Sequence, residues 1–191
     1  MLFRSSSFRP ENLPPPTPAE NAADSPFQDY VHYTRFSLIS RRDLFILACY
    51  KTENLEKFKG NIENAAIIAR LLATLLQYYI PDIPNAYLVT TPKRAHTEKL
   101  GYHFASEICV RACQLINMEF IPDVLEATSK SKFNPNYIQR KPLPVNRRLV
   151  LFDDIATTYQ TLYASLETLR SNPANNLQNV HVPIFIGINN N

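Results

Sequence analysis

The chain has 191 residues, of which 45% are hydrophobic and 19% charged, with a net charge of +3. This length suits one domain with a sizeable core. So small a net charge does not by itself indicate a nucleic-acid-binding protein, which needs clustered basic residues. No apolar run is long enough to span a membrane as a helix, so we expect no membrane partner. The first ten residues, MLFRSSSFRP, lack the apolar core of a secretory signal.

The cysteines point to a reducing compartment. Cys49, Cys109 and Cys113 are an odd number without CxxC spacing, which favours neither a disulfide framework nor a zinc site. We therefore expect a cytoplasmic protein. Cys109 and Cys113, which can share one face of a helix, are interpreted as small core residues.

The N-terminal segment is rich in proline. Six prolines precede residue 27, in RPENLPPPTPAENAADSPF, among few apolar residues and without periodicity. We expect residues 1–26 to be a disordered tail, partly in the polyproline II conformation, and residues 27–191 to form the folded domain. The alternative to a merely disordered tail is that its segment LPPPTP binds a partner.

The folded part begins with two strand-like segments and a helix. YTRFSL and LFILACY are short and apolar, which is typical of strands. In KFKGNIENAAIIARLLATLLQYYIP, Asn61 can cap a helix with Glu63 in its first turn, and apolar residues follow at helical spacing. Because Pro81 disfavours helical geometry at Ile80, the helix should end there.

The middle of the chain continues the alternation. Ala86–Thr90 is predicted to be a short buried strand, and Pro92 prevents its simple continuation. A second helix is predicted over residues 102–117, followed by a strand in EFIPDVLEA. Residues 128–148 form a polar segment with six Lys or Arg and no acid. A structureless segment of this length is typical of a functional lid or of disorder.

The last elements complete an α/β pattern. Residues 148–152 are predicted to be a strand, TLYASLETLR a helix, and VHVPIFIGI the last strand. Strands that alternate with helices indicate an α/β fold with a largely parallel central sheet flanked by helices. Ligands bind such sheets beyond the carboxyl ends of the strands, where we expect Asp153 and Asp154.

Two acids and a row of hydroxyls follow the apolar run in RLVLFDDIATTYQTL. Unpaired amides at a helix start favour an anion, and Thr157, Thr158 and Thr161 can add donors to a bound phosphate. Asp153 and Asp154 can accept hydrogen bonds from the vicinal hydroxyls of a sugar, or approach Mg²⁺. Together these groups suit a ribose 5-phosphate. The alternative is that the acids cap the helix and the threonines fill a turn.

The segment LVLFDDIATTYQTL resembles the phosphoribosyl-pyrophosphate signature of the type I phosphoribosyltransferases. That signature is four apolar residues, two acids, two apolar residues, Thr-Thr-Gly, any residue and Thr. The chain matches it except at Tyr159, where glycine is usual.

Over about residues 45–188 the chain most resembles the competence-protein-F branch, or ComF-like branch. FKGNIENAAIIARLL is similar to the lysine- and glycine-containing stretch before a helix, VTTPKR to a basic loop after a strand, and LGYHFASEICVRA, loosely, to an RGFNQ stretch. The zinc module that often precedes this branch is absent. The resemblance implies a phosphoribosyltransferase-type fold with a hood or flexible loop.

The resemblance also implies the site residues. Asp153 and Asp154 would bind the ribose hydroxyls, and Mg²⁺ would bridge those hydroxyls and the pyrophosphate, so that the acids meet the metal indirectly. The residues that would surround the 5-phosphate are Thr157, Thr158, Tyr159, Gln160 and Thr161. The loop that would hold the pyrophosphate is Thr91, Pro92, Lys93 and Arg94. The basic residues that would reach the same charge when the hood closes are Lys130, Lys132, Arg140 and Lys141. His96 and His103 are candidate general acids, with surface or packing roles as the alternative.

The implied reaction transfers the phosphoribosyl group of 5-phosphoribosyl 1-pyrophosphate to a nitrogen acceptor, a base or a small amine. One alternative is a catalytically weakened module that binds nucleotides and regulates, and another is a role with nucleic acid in DNA uptake or mobile elements. A homodimer is common in the superfamily. Tyr159 bears on this choice, because glycine tolerates positive φ in a phosphate loop and tyrosine is strained there.

Overall fold

The computed structural model describes residues 44–50, 53–92, 100–129, 135–156, 159–178 and 180–189, which belong to one compact unit. The predicted proline-rich tail and the predicted strand YTRFSL lie outside the described residues. Within the described part of the chain, no helix combines the length and apolarity needed to cross a membrane.

Strands and helices alternate along the described chain. The elements are β1 (Leu44–Tyr50), α1 (Leu55–Gly60), α2 (Ile62–Tyr79), β2 (Ala86–Thr90), α3 (Phe104–Ile116), β3 (Glu119–Phe120), β4 (Leu125–Ala127), β5 (Tyr137–Gln139), β6 (Arg148–Ala156), α4 (Gln160–Ser171) and β7 (Ile184–Asn189). Five strands form a parallel sheet in the order β1-β7-β6-β2-β3, and β4 and β5 form an antiparallel hairpin. The predicted α/β class with a largely parallel sheet is confirmed.

Helix α2 begins and ends where the sequence predicts. The side chain of Asn61 accepts a hydrogen bond of 3.0 Å from the amide of Glu63, which caps the first turn. Ile80 leaves the helix with extended backbone angles, because the Pro81 ring excludes the helical conformation from the residue before it. The short helix α1 was not predicted. Asn54 caps it by accepting from the amide of Lys57.

The sheet is covered by helices on both faces. Helices α2 and α3 pack on one face, where Leu72, Leu76 and Ile108 share a core with Val150 and Phe152. Helix α4 packs on the other face, where Leu162, Leu166 and Leu169 share a core with Leu149 and Leu151. Burying each such aliphatic side chain stabilises the fold by about 1.5–3 kcal/mol. The alternating residues of β6 therefore belong to opposite faces of the sheet.

Two sequence predictions are wrong between α3 and β6. EFIPDVLEA is not one strand: β3 joins the parallel sheet and β4 pairs with β5 instead. The cause is the turn at Pro122 and Asp123, since Asp123 has a φ of 55° and breaks the extended run. Residues 128–148 are not wholly structureless, because they contain β5, whose Ile138 pairs with Glu126 of β4.

Candidate functional site

The predicted ribose-binding and pyrophosphate-binding segments meet at the carboxyl edge of the sheet. Strands β2 and β6 are parallel neighbours, with Thr90 paired to Phe152. Just beyond this pair, the amide of Thr91 donates to the carbonyl of Phe152 at 3.1 Å. The Thr91 hydroxyl donates to Asp153 Oδ1 at 3.0 Å. Because Thr91 is 3% exposed and Asp153 6%, this hydrogen bond forms away from water, where it is strong.

Strand β6 continues past the two acids, whereas the sequence predicts that it ends at Phe152. Pairing with β7 runs on to Ala156, with an irregularity between Asp153 and Ala156 where β6 has one more residue than β7. Such a bulge turns side chains out of the regular alternation and is common beside functional sites. The strand can hold two consecutive acids because partners from other elements satisfy both of them.

Asp153 and Asp154 face opposite sides of the sheet. Asp153 precedes the irregularity and continues the face of Leu151, which packs towards α4. Asp154 lies on the other side, where Lys59 of α1 and Cys109 of α3 approach it. Both are buried. A ligand beyond the end of β6 therefore meets one carboxylate from each side of the sheet.

Asp154 is held by a lysine from α1. Lys59 Nζ lies 2.5 Å from Asp154 Oδ2, and the two side chains are only 13% and 9% exposed. The amide of Ile155 donates to Asp154 Oδ1 at 3.0 Å. Burial opposes ionisation of Asp154, but the charge and hydrogen bond of Lys59, the nearby His103 and this amide together hold the pKa of Asp154 below its ordinary value. Asp154 is therefore a carboxylate at neutral pH.

Lys59 is a site residue that the sequence reasoning missed. It lies in FKG, directly before the capped helix α2, and this stretch carries part of the family resemblance. The signal in the sequence is weak, because the short helix has two lysines, Lys57 and Lys59, and nothing local distinguishes them. Its partner is far along the chain, so the spacing of residues could not reveal the contact.

The segment that leads into α3 also approaches Asp154. His103 is buried, its Nδ1 lies 2.8 Å from the Ser106 hydroxyl, and its charge acts on Asp154. The hydroxyl of Tyr102 donates to the carbonyl of Lys59. Both described flanks of residues 93–99 thus contact the acid pair or its lysine, with Thr91 on one side and residues 102–103 on the other. Lys93, Arg94 and His96 lie outside the described residues, and Pro92 is buried.

The two described cysteine side chains lie in the core beneath this edge. Burial raises the pKa of Cys109 well above its ordinary value, and the neighbouring Cys113 and Asp154 raise it further. Burial also raises the pKa of Cys113 to about 12. Both thiols stay protonated at neutral pH, which makes them poor nucleophiles and poor metal ligands. They are core residues, as the sequence predicts.

Tyr159 occupies the left-handed region of backbone conformation. Its φ is 55° and its ψ is −3°, and it immediately precedes α4, accepting a hydrogen bond of 2.9 Å at its carbonyl from the amide of Tyr163. A non-glycine residue in this region is strained. The position therefore has the conformation for which glycine is usual, although the residue is tyrosine.

The phosphate loop is described only in part. Gln160 and Thr161 form the first turn of α4 and are half-buried. Three residues separate them from the end of β6, so the start of the helix lies at the same edge of the sheet as the acid pair. Thr157 and Thr158 lie outside the described residues.

Two of the predicted hood residues lie at the base of the β4–β5 hairpin. Arg140 Nε and Nη2 donate to the two carboxylate oxygens of Glu126, at 2.5 and 3.1 Å. Lys141 Nζ donates to the carbonyl of Pro122 at 2.6 Å. Both basic groups therefore have partners within the hairpin and its connection. Lys130 and Lys132 lie outside the described residues.

The hairpin base lies far from the acid pair. The side chain of Gln139 accepts hydrogen bonds from Asn172 and Asn175, just after the last turn of α4. Helix α4 starts at the edge of the sheet where β6 ends and runs for 12 residues, which is about 18 Å at 1.5 Å per residue. Arg140 and Lys141 thus lie at the opposite edge of the sheet, and the structure does not bring them to the acids.

Neither a ready-made metal cluster nor a known relative identifies the site. Among the described residues, no three His, Cys, Asp or Glu side chains are grouped so that they could hold a metal ion. No protein-family model matches the chain, and no curated protein matches it.

Proposed function

We propose that the chain is a phosphoribosyltransferase of the competence-protein-F type, which binds 5-phosphoribosyl 1-pyrophosphate with Mg²⁺ and transfers its phosphoribosyl group to a nitrogen acceptor, a base or a small amine. The observation that carries the proposal is the 3.0 Å hydrogen bond from Thr91 to Asp153. It joins the segment expected to hold pyrophosphate to the segment expected to hold ribose.

The topology supports this proposal. A five-stranded parallel sheet places the ends of β2 and β6 side by side, and ligands of such sheets bind at this edge. The acid pair lies at the edge where ribose is expected, with the start of α4 next to it for the 5-phosphate.

The acids suit a sugar diol. Asp153 and Asp154 are buried carboxylates from opposite faces of the sheet, and each oxygen can accept more than one hydrogen bond. Asp154 already accepts from Lys59 and from the amide of Ile155, so the donor set fits a Mg²⁺ carried by the ligand rather than one held directly by carboxylates. That Mg²⁺ would offset the negative charge on the leaving pyrophosphate.

The proposed reaction is a displacement at C1 of the ribose. The bond from C1 to the pyrophosphate oxygen breaks and its electron pair leaves with pyrophosphate, while a bond forms from the acceptor nitrogen to C1 and that nitrogen loses a proton. The chain needs no covalent nucleophile. It holds the ribose by two carboxylates and the 5-phosphate at a helix start, and so supplies position and electrostatic stabilisation.

Pyrophosphate release tests this function. The protein is incubated with 5-phosphoribosyl 1-pyrophosphate, Mg²⁺ and a panel of purine, pyrimidine and amine acceptors. We expect release with at least one acceptor, and its loss in Asp153→Asn/Asp154→Asn, with Glu167→Gln on the exposed face of α4 as the matched control. Release that persists in the double variant would contradict the proposed site.

Tyr159 favours a second candidate, a module that binds the same ligand or a nucleotide without catalysis. A strained, bulky residue stands where close approach of the backbone to phosphate needs glycine. Under this candidate, the ligand binds, no acceptor releases pyrophosphate, and Tyr159→Gly tightens binding. If Tyr159→Gly weakens binding, the tyrosine contributes to a working site and the second candidate fails.

A further inference from the structure

The ion pair between Lys59 and Asp154 requires a physical explanation. Its two side chains are 13% and 9% exposed, and Nζ lies 2.5 Å from Oδ2. Removing two charges from water costs free energy that their attraction does not always return, so a buried pair is weak evidence of a purely stabilising role. The pair lies at the edge of the sheet where the proposed ligand binds, which points to a role in ligand binding.

The contact fixes the orientation of the Asp154 carboxylate. Lys59 holds Oδ2 from one side, and the amide of Ile155 holds Oδ1 from another. These two bonds leave lone pairs on both oxygens. Because this carboxylate is already fixed before the ligand binds, a further hydrogen bond from a ligand hydroxyl costs little additional side-chain entropy. This favours binding.

Lys59 also contacts the segment that leads into α3. The Lys59 carbonyl accepts a hydrogen bond from the hydroxyl of Tyr102. The Leu100 side chain lies beside Gly60, since its Cδ2 would be 3.7 Å from a methyl group added to that glycine. The end of α1 thus packs between Asp154 and residues 100–102.

Charge gives a second reason for a lysine at this position. Asp153 and Asp154 are consecutive carboxylates, and 5-phosphoribosyl 1-pyrophosphate is a polyanion. Two ionised acids repel each other and the ligand, whereas one ammonium group beside Asp154 leaves a single net negative charge on the pair. His103 adds a basic group on the same side of Asp154.

We propose that Lys59 is a positioning residue of the phosphoribosyl site: it holds the Asp154 carboxylate for a ribose hydroxyl and offsets one of the two negative charges that the ligand meets. This inference rests on the proposed function. Lys59 acts on the ligand through Asp154, so its effect on affinity disappears when Asp154 has no charge to hold.

A double-mutant cycle tests the inference. The affinity for 5-phosphoribosyl 1-pyrophosphate with Mg²⁺ is measured by calorimetry for the wild type, Lys59→Met, Asp154→Asn and the double variant. We expect Lys59→Met to raise Kd about tenfold in the wild-type background and less than about twofold in the Asp154→Asn background, which is the coupling of residues that act as one unit. Lys59→Arg, which keeps the charge, should recover most of the lost affinity.

Lys57→Met is the matched control, because Lys57 is an exposed lysine on the same helix, and its affinity should equal that of the wild type. If Lys59→Met fails to fold, the comparison of Asp154→Asn with the double variant decides, since the double variant contains neither buried charge. Equal Kd values in these two variants support the inference. A further tenfold loss in the double variant overturns it.

The same measurement separates this inference from the proposed function. If the wild type shows no Mg²⁺-dependent binding, the proposed function fails and the inference fails with it. If the wild type binds and the two substitutions act additively, Lys59 has only a structural role, and the proposed function stands without it.

Discussion

Two ion pairs with the same separation lie in opposite surroundings. Lys59 and Asp154 approach to 2.5 Å, and so do Arg140 and Glu126. The first pair is 13% and 9% exposed and lies beside the proposed site, whereas the second is 54% and 53% exposed at the base of the hairpin. Distance alone would rank them equal. Burial, and the loss of hydration that it brings, decides which pair matters to the molecule.

The acidity of the two carboxyls reflects the same difference. Burial opposes ionisation of Asp154, and it takes Lys59, His103 and the Ile155 amide together to hold its pKa below the ordinary value. The pKa of Glu126 is lowered mainly by the hydrogen bond from Arg140, and water surrounds that pair. Water can replace a lost partner of Glu126, but it has little access to Asp154.

Removing each cation should separate the two pairs most clearly. Lys59→Met leaves a buried carboxylate without its counter-charge, and we expect it to lower the free energy of unfolding by about 3–5 kcal/mol. Arg140→Met should change that free energy little, since solvent screens and replaces its partner. Urea unfolding of both variants measures this difference. Equal losses would contradict the contrast between the two pairs.

The hydroxyl that bonds Asp153 should also be important. Thr91→Val keeps the shape of the side chain but removes the hydroxyl that donates to Asp153 Oδ1 in the buried site. This loss should cost about 1.5–3 kcal/mol of stability. Thr74→Val is the control, because that threonine bonds to the Arg70 carbonyl on the exposed face of α2. Equal free energies of unfolding for the two variants, measured by thermal or urea unfolding, would show that the bond from Thr91 to Asp153 is weak.

Acid should weaken the fold through Asp154. Its folded pKa lies below the ordinary value of 3.8, so its contribution to stability is complete above the pKa of the unfolded chain and is lost as the pH falls below about 3.8 through the folded pKa. Stability measured from pH 6 to 2 should therefore fall less steeply in Lys59→Met/Asp154→Asn than in the wild type. An identical slope would show that Asp154 is not stabilised as a carboxylate.

The smallest expected effect concerns Tyr159. Tyr159→Gly and Tyr159→Ala both remove the ring, but only glycine relieves the positive φ of 55°. The glycine variant should therefore be more stable than the alanine variant by about 1 kcal/mol. Thermal unfolding of the pair measures this difference. A more stable alanine variant would mean that the left-handed conformation is absent in solution.

Local patterns predicted the elements whose causes are local. Ala86–Thr90 was predicted as a short buried strand and forms β2 with these bounds, and Asn61 and Pro81 mark the ends of α2. The pairing of β5 with β4 has no such signal, because a strand of three residues depends on its neighbour and is too short to show periodicity. The turn at Asp123 did have a local signal, since Pro122 and Asp123 are turn-forming residues inside the segment predicted as one strand.

The candidate site shows the same difference between features with a local cause and features that depend on distant partners. The paired acids are visible in the sequence because they interrupt an apolar run, but their partners are not. Thr91 bonds to an acid 62 positions away, and Lys59 lies in helix α1, far along the chain from Asp154. The strand continues through Asp153 and Asp154 because of these distant partners, so the sequence alone placed its end too early.

Calorimetric titration with 5-phosphoribosyl 1-pyrophosphate measures directly whether the acid pair, bonded to Thr91 and Lys59, forms a phosphoribosyl site. We expect saturable binding by the wild type that strengthens with Mg²⁺ and is at least about tenfold weaker in Asp153→Asn, as the loss of a charged hydrogen-bond acceptor predicts. Absence of Mg²⁺-dependent binding in the wild type, or equal affinity in Asp153→Asn, would contradict such a site.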